Sequence, residues 1–330
     1  MKEELNPQRM YGKQAKTLCM DHYSSNSLEN QDHDCIFTQY DLFPGIVLTY
    51  HTIQVEKLDY TDVPKEFPQG LISIQHCHDG RFEGEYPNGE YVYLGKGDLV
   101  INRPEIAPTG SFPLSSYHGV NIVLDCEAAS KTICQIEKVF GALTIDIAHI
   151  YQKLEAGNRM ILFHKNPMIE HILDEIYQLQ GNMQESFLKL KTLELLMYLS
   201  TTEESPRSRQ IYFYKSQVQT IKEIRQYLMN HLEYHITVEQ LASQFQISQT
   251  SMKTCFKSVY GVPIKTYLRE YRIHTAASLL SDTNNIIADI AMQVGYESPS
   301  KFTSCFHSIM GCTPREYREK NCRIGTVQDD

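Results

Sequence analysis

Two short runs carry side chains whose types and spacing suit one kind of chemistry, recognition of a phosphate-lined surface that offers hydrogen-bond donors and acceptors. The first offers Gln249, Thr250, Lys253, Thr254 and Lys257, and the second Ser300, Lys301, Thr303, Ser304 and His307. On a helix each set falls opposite an apolar stripe, Met252, Cys255, Phe256 and Val259 in one case, Phe302, Cys305, Phe306 and Ile309 in the other. Short polar and basic side chains on such a face reach phosphates and base edges of a duplex without obstruction. A solvated helix face explains either set taken alone, and is a much poorer account of two sets in the same register.

The register is shared because one pattern occurs twice between Ile236 and Arg318. Leu241-Ala242, Phe245, Ile247, Ser248, Met252, Phe256 and Gly261 are answered by Ile290-Ala291, Val294, Tyr296, Ser298, Phe302, Phe306 and Gly311. From each serine the steps are four residues to the apolar anchor, four to Phe and five to Gly, and only the turn differs, by one residue. Such a duplication marks a repeated supersecondary unit. Thr237 is placed to cap Val238 to Phe245 with Gln240 in capping-box register, and Ser248 to cap Gln249 to Tyr260, which Gly261 stops. In the second copy Ile286 to Val294 ends at Gly295, Ser298 caps the next helix, and Pro299 takes its first position, where a missing N–H costs nothing. Spacing and chemistry therefore predict two helix-turn-helix units.

Between the copies Pro263 opens a segment, Ile264 to Leu280, with no internal Gly or Pro. As a helix it is about 25 Å long, suited to holding two second helices about 34 Å, or one duplex turn, apart. The set Leu241-Ala242, Ser248, Phe256-Lys257, Gly261, Tyr267, Arg272, Ala276, Leu279-Leu280, Ile290-Ala291, Gly295-Tyr296, Phe302, Phe306, Gly311, Thr313-Pro314 and Arg318 resembles the DNA-binding domain of the AraC/XylS family of bacterial transcription regulators. The resemblance covers about the last third of the chain. It implies promoter DNA and RNA polymerase as partners, and a structural rather than phosphate-binding role for Arg272. The family usually has an arginine two residues after each apolar anchor, where this chain has Thr254 and Ser304. Guanine readout by arginine is thereby removed at both places.

The chain has 330 residues, and 42% hydrophobic content allows two domains with real cores. Its net charge of −9 at first argues against a nucleic-acid partner. From Ser216 to Cys322, however, eleven Lys or Arg face nine Asp or Glu, a net of +2 against −11 for the remainder. That is a weak electrostatic footprint, and modest nonspecific affinity is expected. The polar start and the want of an apolar run near about 18 residues predict no signal peptide and no membrane span. Nine Cys without a CxxC pairing fit reduced thiols, and the expected location is cytoplasmic.

Residues 1–40 show little periodicity and are expected to be irregular. From Gly45 onward the pattern is strand-like: Ile46 to Tyr50, Leu71 to His76, Tyr91 to Leu94, Asp98 to Ile101 and Gly119 to Leu124, with turns at Pro87-Asn88-Gly89, Gly95-Lys96-Gly97 and Pro108-Thr109-Gly110. Short strands at this spacing suggest a small antiparallel barrel. It resembles, more weakly, the cupin-like sensor domain that often precedes the DNA-binding half in this family. Alternation puts Ile72, Ile74, His76 and His78 on one face, expected to point inward. His76, His78, Glu83 and His118 are similar to part of the metal-binding pattern of cupin enzymes and suit a divalent transition metal if they converge. Otherwise they line a pocket for a small effector, with Arg81, Tyr91, Tyr93 and Lys96 adding contacts, or are satisfied strand residues.

Asn166 is placed to cap a helix carrying Met168, Ile169, Ile172, Leu173, Ile176 and Leu179, and a second helix runs from Ser186 through Leu190, Leu193, Leu196, Met197 and Leu199, the two separated by Gly181-Asn182. The pair resembles the family's dimerisation element, which implies a homodimer; packing on their own barrel is the alternative. The expected fold is thus α+β, with residues 1–40 irregular, 41–200 a cupin-like sensor and dimerisation domain, 201–215 a linker, 216–322 an all-α double helix-turn-helix domain and 323–330 a tail. The expected function is sequence-specific, effector-responsive transcription regulation, without catalytic residues, metal or cofactor. Two rivals stay open, a metal-dependent cupin enzyme fused to a DNA-binding module and a constitutive DNA-binding protein whose barrel only dimerises.

Overall fold

Alternating apolar residues build the front of the chain into one antiparallel sheet. The computed structural model describes residues 15–20, 23–28, 35–57, 69–86, 89–104, 109–141, 143–155, 160–179, 184–202 and 213–321. The chain divides into two units, Met1–Phe213 and Tyr214–Asp330. In the first, strands β1 (Ala15–Met20), β2 (Tyr23–Leu28), β3 (Cys35–Phe43), β4 (Ile46–Ile53), β5 (Leu71–Glu85), β6 (Glu90–Gly95), β7 (Asp98–Asn102), β8 (Thr109–Ser111), β9 (Tyr117–Asp125) and β10 (Met160–His164) are joined by antiparallel ladders. The path runs β1-β2-β3-β4-β9-β5-β6, with β7 between β5 and β10 and β8 on β5. Among the described residues it does not close on itself, so the sheet is antiparallel without being a demonstrated barrel.

The stretch expected to be irregular therefore contains β1, β2 and the first six residues of β3. Polar residues predominate in β2 (YSSNSL) and β1 (AKTLCM) does not alternate, which hid the pattern, whereas β3 alternates buried Cys35 and Phe37 with exposed Ile36. Strand β5 continues nine residues beyond His76, past a register shift between Cys77 and Asp79. Such a bulge bends the strand, and its first part pairs with β9 and β7, its second with β6 and β8.

Four helices cover one sheet face: α1 (Cys126–Phe140), α2 (Ile147–Glu155), α3 (Pro167–Gln178) and α4 (Gln184–Thr201). Tyr40, Leu42, Leu48, Ile72, Ile74, Ile101 and Ile122 from the sheet form a core with Ile133, Ile150, Ile169, Leu173, Leu188 and Leu196 from the helices. Asn166 Oδ1 accepts the Met168 and Ile169 N–H groups at the start of α3, and Pro167 stands at its first position. The inward stripe of α4 is Leu188, Thr192, Leu195, Leu196 and Leu199, while Leu190 and Met197, expected on that stripe, are exposed. A second core of Cys35, Phe37, Ile53, Cys77, Leu94, Val100, Phe112 and Tyr117 lies on the opposite sheet face.

The second unit is helical: α5 (Lys215–Met229), α6 (Val238–Gln244), α7 (Gln249–Tyr260), α8 (Ile264–Asp282), α9 (Ile287–Gln293), α10 (Pro299–Met310) and α11 (Pro314–Asn321). Helix α4 ends at Thr201 and α5 begins at Lys215, which brackets the expected linker. Its residues 203–212, the tail 323–330, and the breaks at Gly181-Asn182, Pro87-Asn88 and Pro108 lie outside the described residues.

Candidate nucleic-acid interface

Each helix-turn-helix unit is set by the caps that its sequence announces. Thr237 Oγ1 accepts the Gln240 N–H at 3.2 Å while Gln240 Oε1 accepts the Thr237 N–H at 2.8 Å, closing the capping box of α6. Ser248 Oγ accepts the Ser251 N–H at 3.1 Å, and Ser298 Oγ the Lys301 N–H at 3.4 Å, at the starts of α7 and α10. Gly261 and Gly311 end those helices in the left-handed region, with φ of 81° and 74°. Met252, Cys255, Phe256 and Val259 are buried in α7, and Phe302 and Phe306 in α10. Burial of these stripes fixes which face each helix turns outward.

Of the ten side chains singled out for DNA contact, nine are exposed: Thr250, Lys253, Thr254, Lys257, Ser300, Lys301, Thr303, Ser304 and His307; Gln249 is half-buried. On α10 five of its residues, Pro299, Ser300, Thr303, Ser304 and His307, line an open groove together with Thr313. The N-terminal backbone N–H groups of both helices add partial positive charge.

Three of the five arginines among the described residues of this unit make contacts between its elements. Arg272 Nη2 donates to the Leu232 and Tyr234 carbonyls at 2.6 and 2.9 Å, and Nη1 to the Gly295 carbonyl at 3.5 Å; burial lowers its pKa. Gly295, at φ 78°, sits so close that a Cβ would lie 2.3 Å from the Leu232 oxygen and 2.6 Å from Arg272 Nη2. Gly295, which answers Gln246 of the first copy, is thus a docking point. Arg225 donates to Tyr267 Oη at 2.6 Å, and Arg318 to the Asn285 carbonyl at 2.7 Å. These three cations tie helices to one another and to the turns between them, and α7 and α10, which contain no arginine, have lysines as their exposed charge.

The eight side chains proposed for an effector separate into groups. His76, His78 and His118 meet around Tyr177 of α3: Tyr177 Oη is 3.1 Å from His76 Nδ1, and its ring centroid is 4.1 and 5.2 Å from those of His78 and His118. Asp174 stands 4.0 Å from His78. Burial, aided by His78, pushes the His76 pKa down to about 4, and His118 is lowered by the same two causes. Glu83 is held elsewhere, accepting from Tyr93 Oη at 2.7 Å and Ser111 Oγ at 2.8 Å, with Arg81 over the Tyr93 ring. Tyr91 is buried at the Glu85 pair of the β5–β6 ladder, and Lys96 is exposed, 3.9 Å from Asp79. Among the described residues no three or more His, Cys, Asp or Glu are grouped to hold a metal.

Ile72, Ile74, His76 and His78 do share a face, but it is the face under the helices rather than the opposite one. Sequence reasoning missed that the opposite face carries a polar row. Gln39, Thr49, Asn121 and Gln75 are consecutive ladder partners across β3, β4, β9 and β5, and Ser73 pairs with Asn102 beside them. Ser73 Oγ donates to Asn121 Oδ1 at 2.7 Å and Gln75 Nε2 to Tyr117 Oη at 3.0 Å. Gln39 Oε1, Thr49 Oγ1 and Asn102 Oδ1 are buried without a hydrogen-bond partner. His51, on the same face, has its pKa pushed down to about 3 by burial. The alternation of Gln39 with Phe37 and of Thr49 with His51 was the available signal.

Two helix-turn-helix units joined by the 19-residue α8 define the class, a DNA-binding domain. Residues 241–320 match the family model described as "Helix-turn-helix domain". The chain is similar to the HTH-type transcriptional regulator ExsA of Pseudomonas aeruginosa, with 25% identity over 76% of this chain and 94% of that protein. It is similar to the lactose operon transcription activator of Staphylococcus xylosus, with 27% identity over 76% of this chain and 84% of that one. The melibiose operon regulatory protein of Escherichia coli is 29% identical over 36% of this chain and 38% of its own length. The C-terminal unit is an AraC-type helix-turn-helix domain, and the chain is a relative of AraC-family DNA-binding transcription regulators.

Proposed function

We propose that this chain regulates transcription in the cytoplasm by reading two adjacent major-groove segments of promoter DNA at once, with α7 and α10 as its recognition helices. The observation that carries this reading is the outward exposure of Thr250, Lys253, Thr254 and Lys257 on one helix and Ser300, Lys301, Thr303, Ser304 and His307 on the other. Side chains of these types bond phosphates and base edges directly. Activation then proceeds through contact with RNA polymerase, the mode that the family resemblance implies.

The N-terminal unit, a cupin-like sheet in this reading, senses a small molecule. Support comes from the buried polar row, where Gln39 Oε1, Thr49 Oγ1 and Asn102 Oδ1 have unmet hydrogen-bonding capacity. A ligand that binds one arrangement of the two units better than another shifts their populations. Homodimer formation is supported by Phe187, Leu190 and Met197, apolar side chains exposed on α4. The test of the DNA reading is fluorescence anisotropy of the full chain with promoter fragments and random duplex at several salt concentrations. The reading expects at least one fragment to bind tighter than random duplex at every salt concentration; equal affinity for all sequences refutes it.

A further inference from the structure

Because the two reading helices are internal copies, their outward positions can be compared one for one. Counting from Ser248 and Ser298, the pairs are Gln249 with Pro299, Thr250 with Ser300, Lys253 with Thr303, Thr254 with Ser304, and Lys257 with His307. Nine of these ten are exposed, so the comparison concerns free surface. At two consecutive turns α7 has lysine where α10 has threonine and histidine. The lone cation of α10 within this run, Lys301, lies in its first turn, where its N–H is held by Ser298. The copies have the same scaffold and different chemistry.

That difference has a direct physical meaning on DNA. A lysine is a mobile point charge that finds a phosphate at every base step, so its contribution is sequence-tolerant and weakens with salt. Threonine and serine lack charge; their hydroxyls reach base edges, and the threonine methyl fits the thymine C5 methyl, which marks A·T pairs in the major groove. Around Thr303 and Ser304 the surface is an open groove bordered by Pro299, Ser300, His307 and Thr313, none of them long. A base edge can approach those two side chains closely. Neither helix offers an exposed arginine in this set, so bidentate guanine recognition does not override the distinction.

We propose, on the footing of the DNA reading above, that the two helices have unequal work: α7 grips the backbone through Lys253 and Lys257, and α10 discriminates sequence, with Thr303 and Ser304 as the specificity-determining side chains and thymine-bearing pairs as their target. The half-site under α10 is then the thymine-dependent one, and the half-site under α7 is the degenerate one.

The experiment uses the full chain, as wild type, as the Lys253→Ala/Lys257→Ala double variant, and as the Thr303→Ala/Ser304→Ala double variant. Each selects ligands from a randomised duplex pool, and affinity for the wild-type consensus is then followed against salt. Removing two phosphate contacts lowers the slope of log affinity against log salt by about 1.8 and weakens all duplexes alike, with the selected consensus unchanged. The threonine and serine variant keeps the slope, loses the consensus in one half-site, and narrows the specific-to-random ratio by about 10-fold or more. Uracil in place of thymine removes only the methyl group, so substitution in that half-site weakens the wild type several-fold and leaves the Thr303→Ala/Ser304→Ala variant unaffected. A consensus altered by the lysine variant, or one unchanged by the threonine and serine variant, overturns the division of work. Indifference of the wild type to uracil overturns it as well, without any variant having to fold. If the wild type enriches no sequence, the DNA reading itself fails and takes this inference with it, an outcome distinct from enrichment without the predicted asymmetry.

Discussion

Replacing Arg272 by alanine tests whether the second helix-turn-helix unit is held in place by backbone carbonyls. The guanidinium makes two short bonds, to Leu232 and Tyr234, and a longer one to Gly295. Hydrogen bonds from a charged donor contribute about 1.5–3 kcal/mol each. Two strong ones set an upper bound of about 6 kcal/mol, but the site is half-open, water replaces the donor at the Tyr234 carbonyl, and removal also relieves the desolvation that lowers the Arg272 pKa. The expected net loss is about 2 kcal/mol, and Arg272→Lys loses about half as much, because an ammonium lacks the planar fork. Gly295→Ala reaches the same joint from the other side, through the strain at φ 78° and the Cβ contacts. The assay is urea unfolding of the full chain followed by helical circular dichroism, with affinity measured on a two-half-site duplex and on each half-site alone. Weaker unfolding resistance, together with a two-site affinity that falls by more than the half-site affinities, is expected. A transition shifted by less than about 0.5 kcal/mol, the scatter typical of surface changes, with the two-site advantage intact, refutes the reasoning.

Phe306, fully buried against Phe302 and Tyr317, should cost about 3–5 kcal/mol as Phe306→Ala, seen as loss of the C-terminal transition in the same unfolding experiment. His51 and His76 have pKa values near 3 and 4, below the ordinary 6.5, so the folded state favours their neutral forms. Their stabilisation is whole above pH about 6.5 and is lost as pH falls toward 4, with a combined loss of several kcal/mol as the order of magnitude. Acid titration followed by hydrogen exchange should therefore show the N-terminal sheet opening first, and His76→Gln should move that opening to lower pH. Leu190→Glu, on the exposed side of α4, should convert a dimer to a monomer in sedimentation without changing the melting temperature by more than a few degrees.

The C-terminal unit was legible because its signals are local. Thr237, Ser248, Ser298, Pro299, Gly261 and Gly311 each announce a helix end, and the structure uses each as expected. Helix limits moved by a residue or so, as at Ile287 and Gln293 of α9, where capping is weak. In the N-terminal unit β4, β6, β7, β9 and the first part of β5 were legible, whereas β1, β2, β3, β8 and β10 were not, and neither was the facing of the strands. The run Leu71 to Ile74 is buried on both sides, between a helical layer and a second core, so alternation tells which residues share a face and not which face is covered. Covering helices α1 and α2 went unread, and with them the role of Tyr177, because the partners of a histidine 101 residues away in sequence leave no trace in spacing. The polar row of Gln39, Thr49 and Asn102 was passed over for a similar reason. Each residue is unremarkable in its own strand, and only the ladder register assembles them.

The central claim is that both outward faces engage one duplex together. Hydroxyl-radical footprinting of the full chain on its selected binding site measures this directly. Two protected stretches, centred about one helical turn apart on the same side of the duplex, are predicted, with Thr303→Ala/Ser304→Ala thinning one and Lys253→Ala/Lys257→Ala the other. A single protected stretch that both variants weaken equally would contradict it.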